Sequence, residues 1–122
     1  MTRQTTQLFR LADYLPDRST KPKPTYFDRA ELNQLLAVYS RHVIRGEWRD
    51  YAIDHGDGFA LFSVYRHSQD SPAFRIVKCP GSGGRAGEYL LYGDGRRLRA
   101  ARTLGEVLEV LRRKPVLVRG PR

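Results

Sequence analysis

The chain has 122 residues, a hydrophobic fraction of 40%, one cysteine and a formal net charge of +9. That length suits a single small domain. The lone Cys79 excludes an intrachain disulfide, and no apolar run reaches the ~18 residues of a membrane-spanning helix. Charges and Pro16 interrupt residues 1–20, so they lack the apolar block of a secretory signal, and a cytoplasmic protein is the expectation.

Residues 1–24 carry a net +3 and end in "STKPKP". Alternating Lys and Pro continue neither a helix nor a strand ladder. Within this stretch "LFRLADYL" places Leu8, Leu11 and Leu15 at helical spacing. It could dock, but the expectation is a mobile basic tail over 1–24. A single domain is expected over 25–118, with a loose end at 119–122.

A helix is expected over about 29–45, within "FDRAELNQLLAVYSRHVIRG". Asp28 and Glu31 have capping-box spacing. Leu32, Leu35, Leu36, Tyr39 and Val43 fall on one stripe. Arg41, His42 and Arg45 suit the negative end of the helix dipole, and Gly46 suits the stop.

From Trp48 the apolar period changes to two. "WRDYAI" and "FALFSVYRH" flank "DHGDG", which reads as a hairpin with a loop of about four residues. If Asp54 and Phe59 close it, Tyr51 faces Phe62 and Ile53 faces Ala60. A one-residue slip would set Asp50 against the core and is rejected. "QDSP" turns the chain into "AFRIVK", with Phe74 and Ile76 on one side and Arg75 and Val77 on the other. "CPGSGGRAG" connects to the strand "EYLLY", "GDG" breaks it, and "RRLRA" forms a short fifth strand.

"TLGEVLEVLRRK" is a second helix. Thr103 and Glu106 have capping spacing, and Leu104, Val107, Leu108 and Leu111 form its stripe. Pro115 stops it, and "VLV" at 116–118 either adds an edge strand or packs. The expected fold is α+β: an antiparallel meander of four or five strands with two helices on one face, in the order helix, strands, helix.

The segments "ELNQLLAVYSRHVIRGEWRDYAID", "FSVYRH" and "FRIVK" together resemble a bacterial family known as a domain of unknown function. The likeness covers residues 25–78 best and returns in the final helix. It implies a small intracellular bacterial protein and carries no activity, cofactor or site residue with it.

The segment "GEWRDYAIDH" holds the densest mixture of functional groups. On a strand, Asp50 and Asp54 stand about 13 Å apart, too far for a glycosidase pair. The structural alternative has Tyr51 and Ile53 filling the core, Trp48 covering the end of the first helix and Asp54 capping the turn. The functional alternative is an exposed patch in which Trp48 and Asp50 contact a partner. His42, His55 and His67 lack metal-ligand spacing, and Cys79 has no neighbouring base in sequence. "GSGGRAG" lacks the Lys-Ser/Thr ending of a phosphate loop. No cofactor or metal is expected, and an enzyme is the less favoured class.

Residues 96–122 alone carry +7, and "RRLRAAR" concentrates the charge. Arg96, Arg97, Arg99 and Arg102, with Arg112 and Arg113 on the following helix, are the candidate binding residues. Guanidinium groups fork onto phosphates and carboxylates. An acidic protein partner and a nucleic acid therefore both fit. For the second, Tyr89 and Tyr92 would stack bases if exposed. A binding module using this surface is the functional expectation.

Overall fold

A computed structural model describes residues 24–67, 71–81, 83–84 and 86–113. The first helix, α1 (Arg29–Ile44), begins where the sequence supplies a reciprocal cap. The Asp28 carboxylate accepts from Glu31 N and the Glu31 carboxylate accepts from Asp28 N, each at 2.8 Å. Two of the helix's unpaired N–H groups are thereby satisfied. Gly46, at φ 78°, takes the left-handed conformation that ends the helix cheaply.

Five strands follow: β1 (Asp50–Gly56), β2 (Phe59–Tyr65), β3 (Phe74–Cys79), β4 (Glu88–Gly93) and β5 (Arg96–Ala101). The second helix, α2 (Leu104–Arg113), closes the described chain. Sheet order follows chain order, and each neighbouring pair is antiparallel. The fold is thus α+β, a five-stranded meander between two helices. β5 is as long as β4, not a short appendage.

The first hairpin departs from the expected register. Gly56 pairs with Phe59, Ile53 with Phe62 and Tyr51 with Val64. The connection is only Asp57–Gly58, with Gly58 at φ 84°. Asp54 therefore lies inside β1, opposite Leu61, and not in the turn. The slip is two residues, so it leaves every side chain on its expected face. Pro24, assigned by sequence to the tail, forms a bridge with Asp57, and Thr25 N donates to Gly56 O at 3.0 Å.

The larger buried cluster joins Leu35 and Val38 of α1, Leu104, Val107, Leu108 and Leu111 of α2, and Ala60, Phe62, Val64, Ile76 and Leu91 of the sheet. Those strand residues all share one pleat parity. A second cluster, Leu61, Val77, Leu90 and Tyr92, has the opposite parity. The stripe buried on α1 is Glu31, Leu35, Val38 and His42, whereas Val43 is exposed. The helix is thus rotated from the purely apolar stripe, because two polar residues are carried inward by specific partners. Tyr51 and Ile53 have the parity of the larger cluster but remain partly exposed, since β1 is an edge strand. Residues 1–23, Pro115 and residues 116–122 lie outside the described residues.

Candidate interaction surface

β5 owes its position to a tight turn. Asp94 and Gly95 have φ of 53° and 77°, the pair of left-handed residues that a two-residue hairpin with matching twist requires. Gly93 then pairs with Arg96 and Tyr92 with Arg97. Past this point the register shifts, and Leu91 pairs with Arg99. Leu98 is the extra residue of the bulge. Without it, Arg97 and Arg99 would share a parity; with it, Arg97 sits opposite Tyr92 and Arg99 opposite Leu91. The arginines are divided between both sides of the strand.

Arg96, Arg97, Arg99 and Arg102 are all exposed. No acidic residue lies between Asp94 and Glu106, so this stretch carries four unopposed charges in its own sequence. Among the described residues β5 has one strand neighbour, β4, so its other backbone edge is unpaired. Arg112 sits near the far end of α2, where its Nη1 lies 3.5 Å from Glu109 Oε1. Exposed pairs of this kind contribute little. Arg113 ends the same helix, and its side chain lies outside the described ones. The fold therefore groups Arg96, Arg97, Arg99 and Arg102 and leaves Arg112 farther along the chain, on a separate element.

The opposite edge differs in charge. β1 bears Asp50 and Asp54, and Asp57 follows in its turn. Four strand spacings separate the two edges, roughly 19 Å. The bridge from Pro24 and the hydrogen bond from Thr25 cover one end of the β1 edge. Asp50 is exposed and its Oδ1 accepts from Tyr51 N at 2.9 Å. Trp48 is only 4% exposed. Its ring stacks on His42 at 4.0 Å and 15°, so it contributes core surface against the end of α1.

Two polar clusters went unrecognised in the sequence. Glu31, 7% exposed, is the first hub. Its carboxylate accepts from Lys78 Nζ at 2.8 Å and from the Tyr89 hydroxyl, besides the Asp28 backbone. Lys78 Nζ also donates to Tyr26 O at 2.9 Å. The start of α1 is thereby tied to β3 and β4. Burial, then the Glu31 hydrogen bond and charge, raise the Tyr89 pKa and hold the phenol neutral. The second hub is His42, buried beneath Trp48. Its Nδ1 lies 2.6 Å from Glu47 Oε1, and its Nε2 lies 3.1 Å from Leu111 O. A carbonyl oxygen only accepts, so Nε2 donates there and links the ends of α1 and α2. The available signal was spacing: Glu31 and His42 bracket Leu35 and Val38 on one helical face.

Tyr92 is buried, and Tyr89 is half-buried with its hydroxyl on Glu31, so neither ring offers the open stacking face considered from sequence. Burial, with a smaller contribution from Glu88, pushes the Cys79 thiol up to about 11. It is a protonated, weakly nucleophilic group at neutral pH. Among the described residues no three metal-ligating side chains converge, and no described helix is long and apolar enough to cross a membrane.

A small α+β domain with a meander sheet, one described helix before it and one after it in the chain, and a cationic edge strand is the class these features define. Residues 25–108 match the family model described as protein of unknown function (DUF2794), and the chain belongs to that family. No curated relative and no solved structure matches it.

Proposed function

We propose that the protein is a binding module whose β5 edge receives an extended, acidic segment of a partner protein. The observation that carries this reading is the coincidence of a strand edge that no described strand pairs with four exposed arginines over residues 96–102. A peptide laid along β5 would gain main-chain hydrogen bonds from the edge, as in strand addition. Its carboxylates would meet guanidinium groups on both sides, because the bulge at Leu98 divides Arg97 from Arg99. The covered end of β1 and its aspartates make the other edge a poorer receiver for the same ligand.

A nucleic acid would use the same cations through phosphates but would draw nothing from the backbone edge. The engagement of Tyr89 and the burial of Tyr92 also favour the peptide reading.

The test is fluorescence anisotropy of a labelled glutamate-rich peptide and of a labelled single-stranded RNA, each titrated with the full chain. The peptide is expected to bind, and Arg96→Ala/Arg97→Ala/Arg99→Ala to weaken it at least ~10-fold, since charge-assisted contacts are typically worth ~1.5–3 kcal/mol each. The melting curve of the variant should stay unchanged, because the three side chains are exposed. RNA binding tighter than peptide binding would overturn the reading. So would self-association of the variant without any loss of ligand, which would assign the arginines to protection of the edge.

A further inference from the structure

The topology sorts charge between the two ends of the sheet. α1 finishes beside the start of β1 and the end of β2, where Trp48 stacks on His42 at 4.0 Å and Arg49 N donates to Tyr65 O at 2.8 Å. Arg41 and Arg45 at the end of α1, Arg49 before β1 and Arg66 after β2 therefore share one corner, and all four are exposed. Arg96 and Arg97 begin β5 at the same end of the sheet, and the Leu111 carbonyl on His42 brings Arg112 there too. The described acids of this end are Glu47, Asp50, Asp94 and Glu109, of which Glu47 is held by His42 and Glu109 lies against Arg112. The opposite end reverses the balance. Asp28, Asp54, Asp57, Glu88 and Glu106 are exposed there, and Glu31 is buried, against Arg29, Lys78 and Arg102. The described domain is thus a charge dipole along its strands.

Apolar surface is exposed at the cationic corner. Ile44 is 85% exposed, the most of any large hydrophobic side chain among the described residues, and Val43 beside it is 38% exposed. Ile44 stands three residues after Arg41 and next to Arg45, on the side of α1 away from buried Leu35, Val38 and His42. A Cβ added at Gly46 would meet nothing within 4 Å, so the corner is open and offers no cleft around the aliphatic group. A lone exposed aliphatic is ordinary, but this one is ringed by four arginines at one pole of a dipole.

We propose that this corner docks on an anionic lipid bilayer. Ile44 and Val43 enter the boundary between headgroups and acyl chains, and Arg41, Arg45, Arg49 and Arg66 meet the lipid phosphates and carboxylates. The reading is independent of the ligand assigned to β5. A fluid bilayer takes up a protruding aliphatic without a preformed pocket, and arginine stems lie along apolar surface while their heads stay in the polar layer. A nucleic acid would use the arginines through its phosphates but would draw little from Ile44. A second copy brought up on a two-fold axis would set arginine against arginine. The dipole also fixes the pose, with the acidic end turned away from the lipid charge.

Cosedimentation of the full chain with vesicles of mixed phosphatidylcholine and phosphatidylserine, and with vesicles of phosphatidylcholine alone, tests this. Binding to the mixed vesicles is expected, and it should weaken as salt rises, with little binding to the neutral ones. Ile44→Ser should weaken binding about tenfold or more, as an aliphatic side chain is lost from the acyl boundary. Arg41→Ala/Arg45→Ala should also weaken it about tenfold or more. Both variants should melt as the wild type does, because the side chains are exposed. Ile44→Leu should restore wild-type binding. Mixed vesicles left unbound, or bound equally well by Ile44→Ser, overturn the proposal. So does single-stranded RNA that binds in place of vesicles and is weakened by Arg41→Ala/Arg45→Ala, which would give the corner to a nucleic acid. Loss of the glutamate-rich peptide in Ile44→Ser, with vesicle binding kept, would give it to an acidic chain instead.

Discussion

Replacing Glu31 with alanine removes one carboxylate that joins three elements. The Asp28 N–H loses its acceptor, as do the Lys78 ammonium and the Tyr89 hydroxyl. Loss of the reciprocal half of a cap costs about 1 kcal/mol. The hydrogen bond between charged Lys78 and Glu31 is worth about 1.5–3 kcal/mol, and the phenol's about 1 kcal/mol. Lys78 keeps Tyr26 O as a partner, and the three losses share one site, so they do not simply add. A destabilisation of about 3–4 kcal/mol is expected, a large part of the ~5–15 kcal/mol of a typical domain. Urea unfolding followed by the fluorescence of Trp48, the single tryptophan, measures it. Glu31→Gln keeps one acceptor oxygen, enough for the cap, and puts an amide donor where the second carboxylate oxygen stood, so about half the loss is expected, the charge on Lys78 and the acceptor for the Tyr89 hydroxyl being the uncompensated parts. A cost below ~1 kcal/mol for Glu31→Ala would refute the view that this carboxylate fastens α1 to the sheet.

His42→Ala should cost about 2–4 kcal/mol, by opening a cavity under Trp48 and leaving the Leu111 carbonyl unpaired; thermal melts and a red shift of tryptophan emission would register it. Gly93→Ala would bring a Cβ within 2.8 Å of both Leu98 Cδ1 and Phe74 Cε1, so a loss of about 1–3 kcal/mol is expected in chemical denaturation. The Cys79 thiol is raised from 9.0 to about 11, so its alkylation rate should climb around pH 11 and not around pH 9, in a rate–pH profile of the folded chain. Because the folded value is the higher one, the thiol's stabilising contribution is complete below pH 9 and disappears as pH rises through about 11.

Local signals carried much of this fold. Asp28 with Glu31 and Thr103 with Glu106 sit at the predicted helix starts, and Glu106 N does donate to Thr103 Oγ1, at 3.2 Å. Alternation placed Phe62 and Val64 on one face and set Ile76 and Val77 on opposite sides of their strand, as the two buried clusters have them. The hairpin register was less legible, because "DHGDG" offers turn residues at more than one position and a two-residue slip leaves the apolar pattern intact. Burial of Glu31 and His42 was hidden for another reason. Their acceptors and donors lie on Lys78, Tyr89 and Leu111, far along the chain, and helical periodicity treats an isolated polar residue as solvent-facing. Arginine density in residues 96–102 was plain from the sequence. Its place on an edge followed only from strand order, which is a property of the whole sheet. Trp48 was ambiguous for the same reason, since its burial depends on where the end of α1 lies.

Amide hydrogen exchange along β5, in the free chain and with the glutamate-rich peptide at saturation, tests the proposed binding edge most directly. In the free chain the amides of β5 that point away from β4 should exchange quickly, having no partner among the described strands. With peptide bound, those same amides should become protected while the β1 amides keep their rates. Peptide binding that leaves β5 exchange unaltered, or that protects β1 instead, would contradict the assignment.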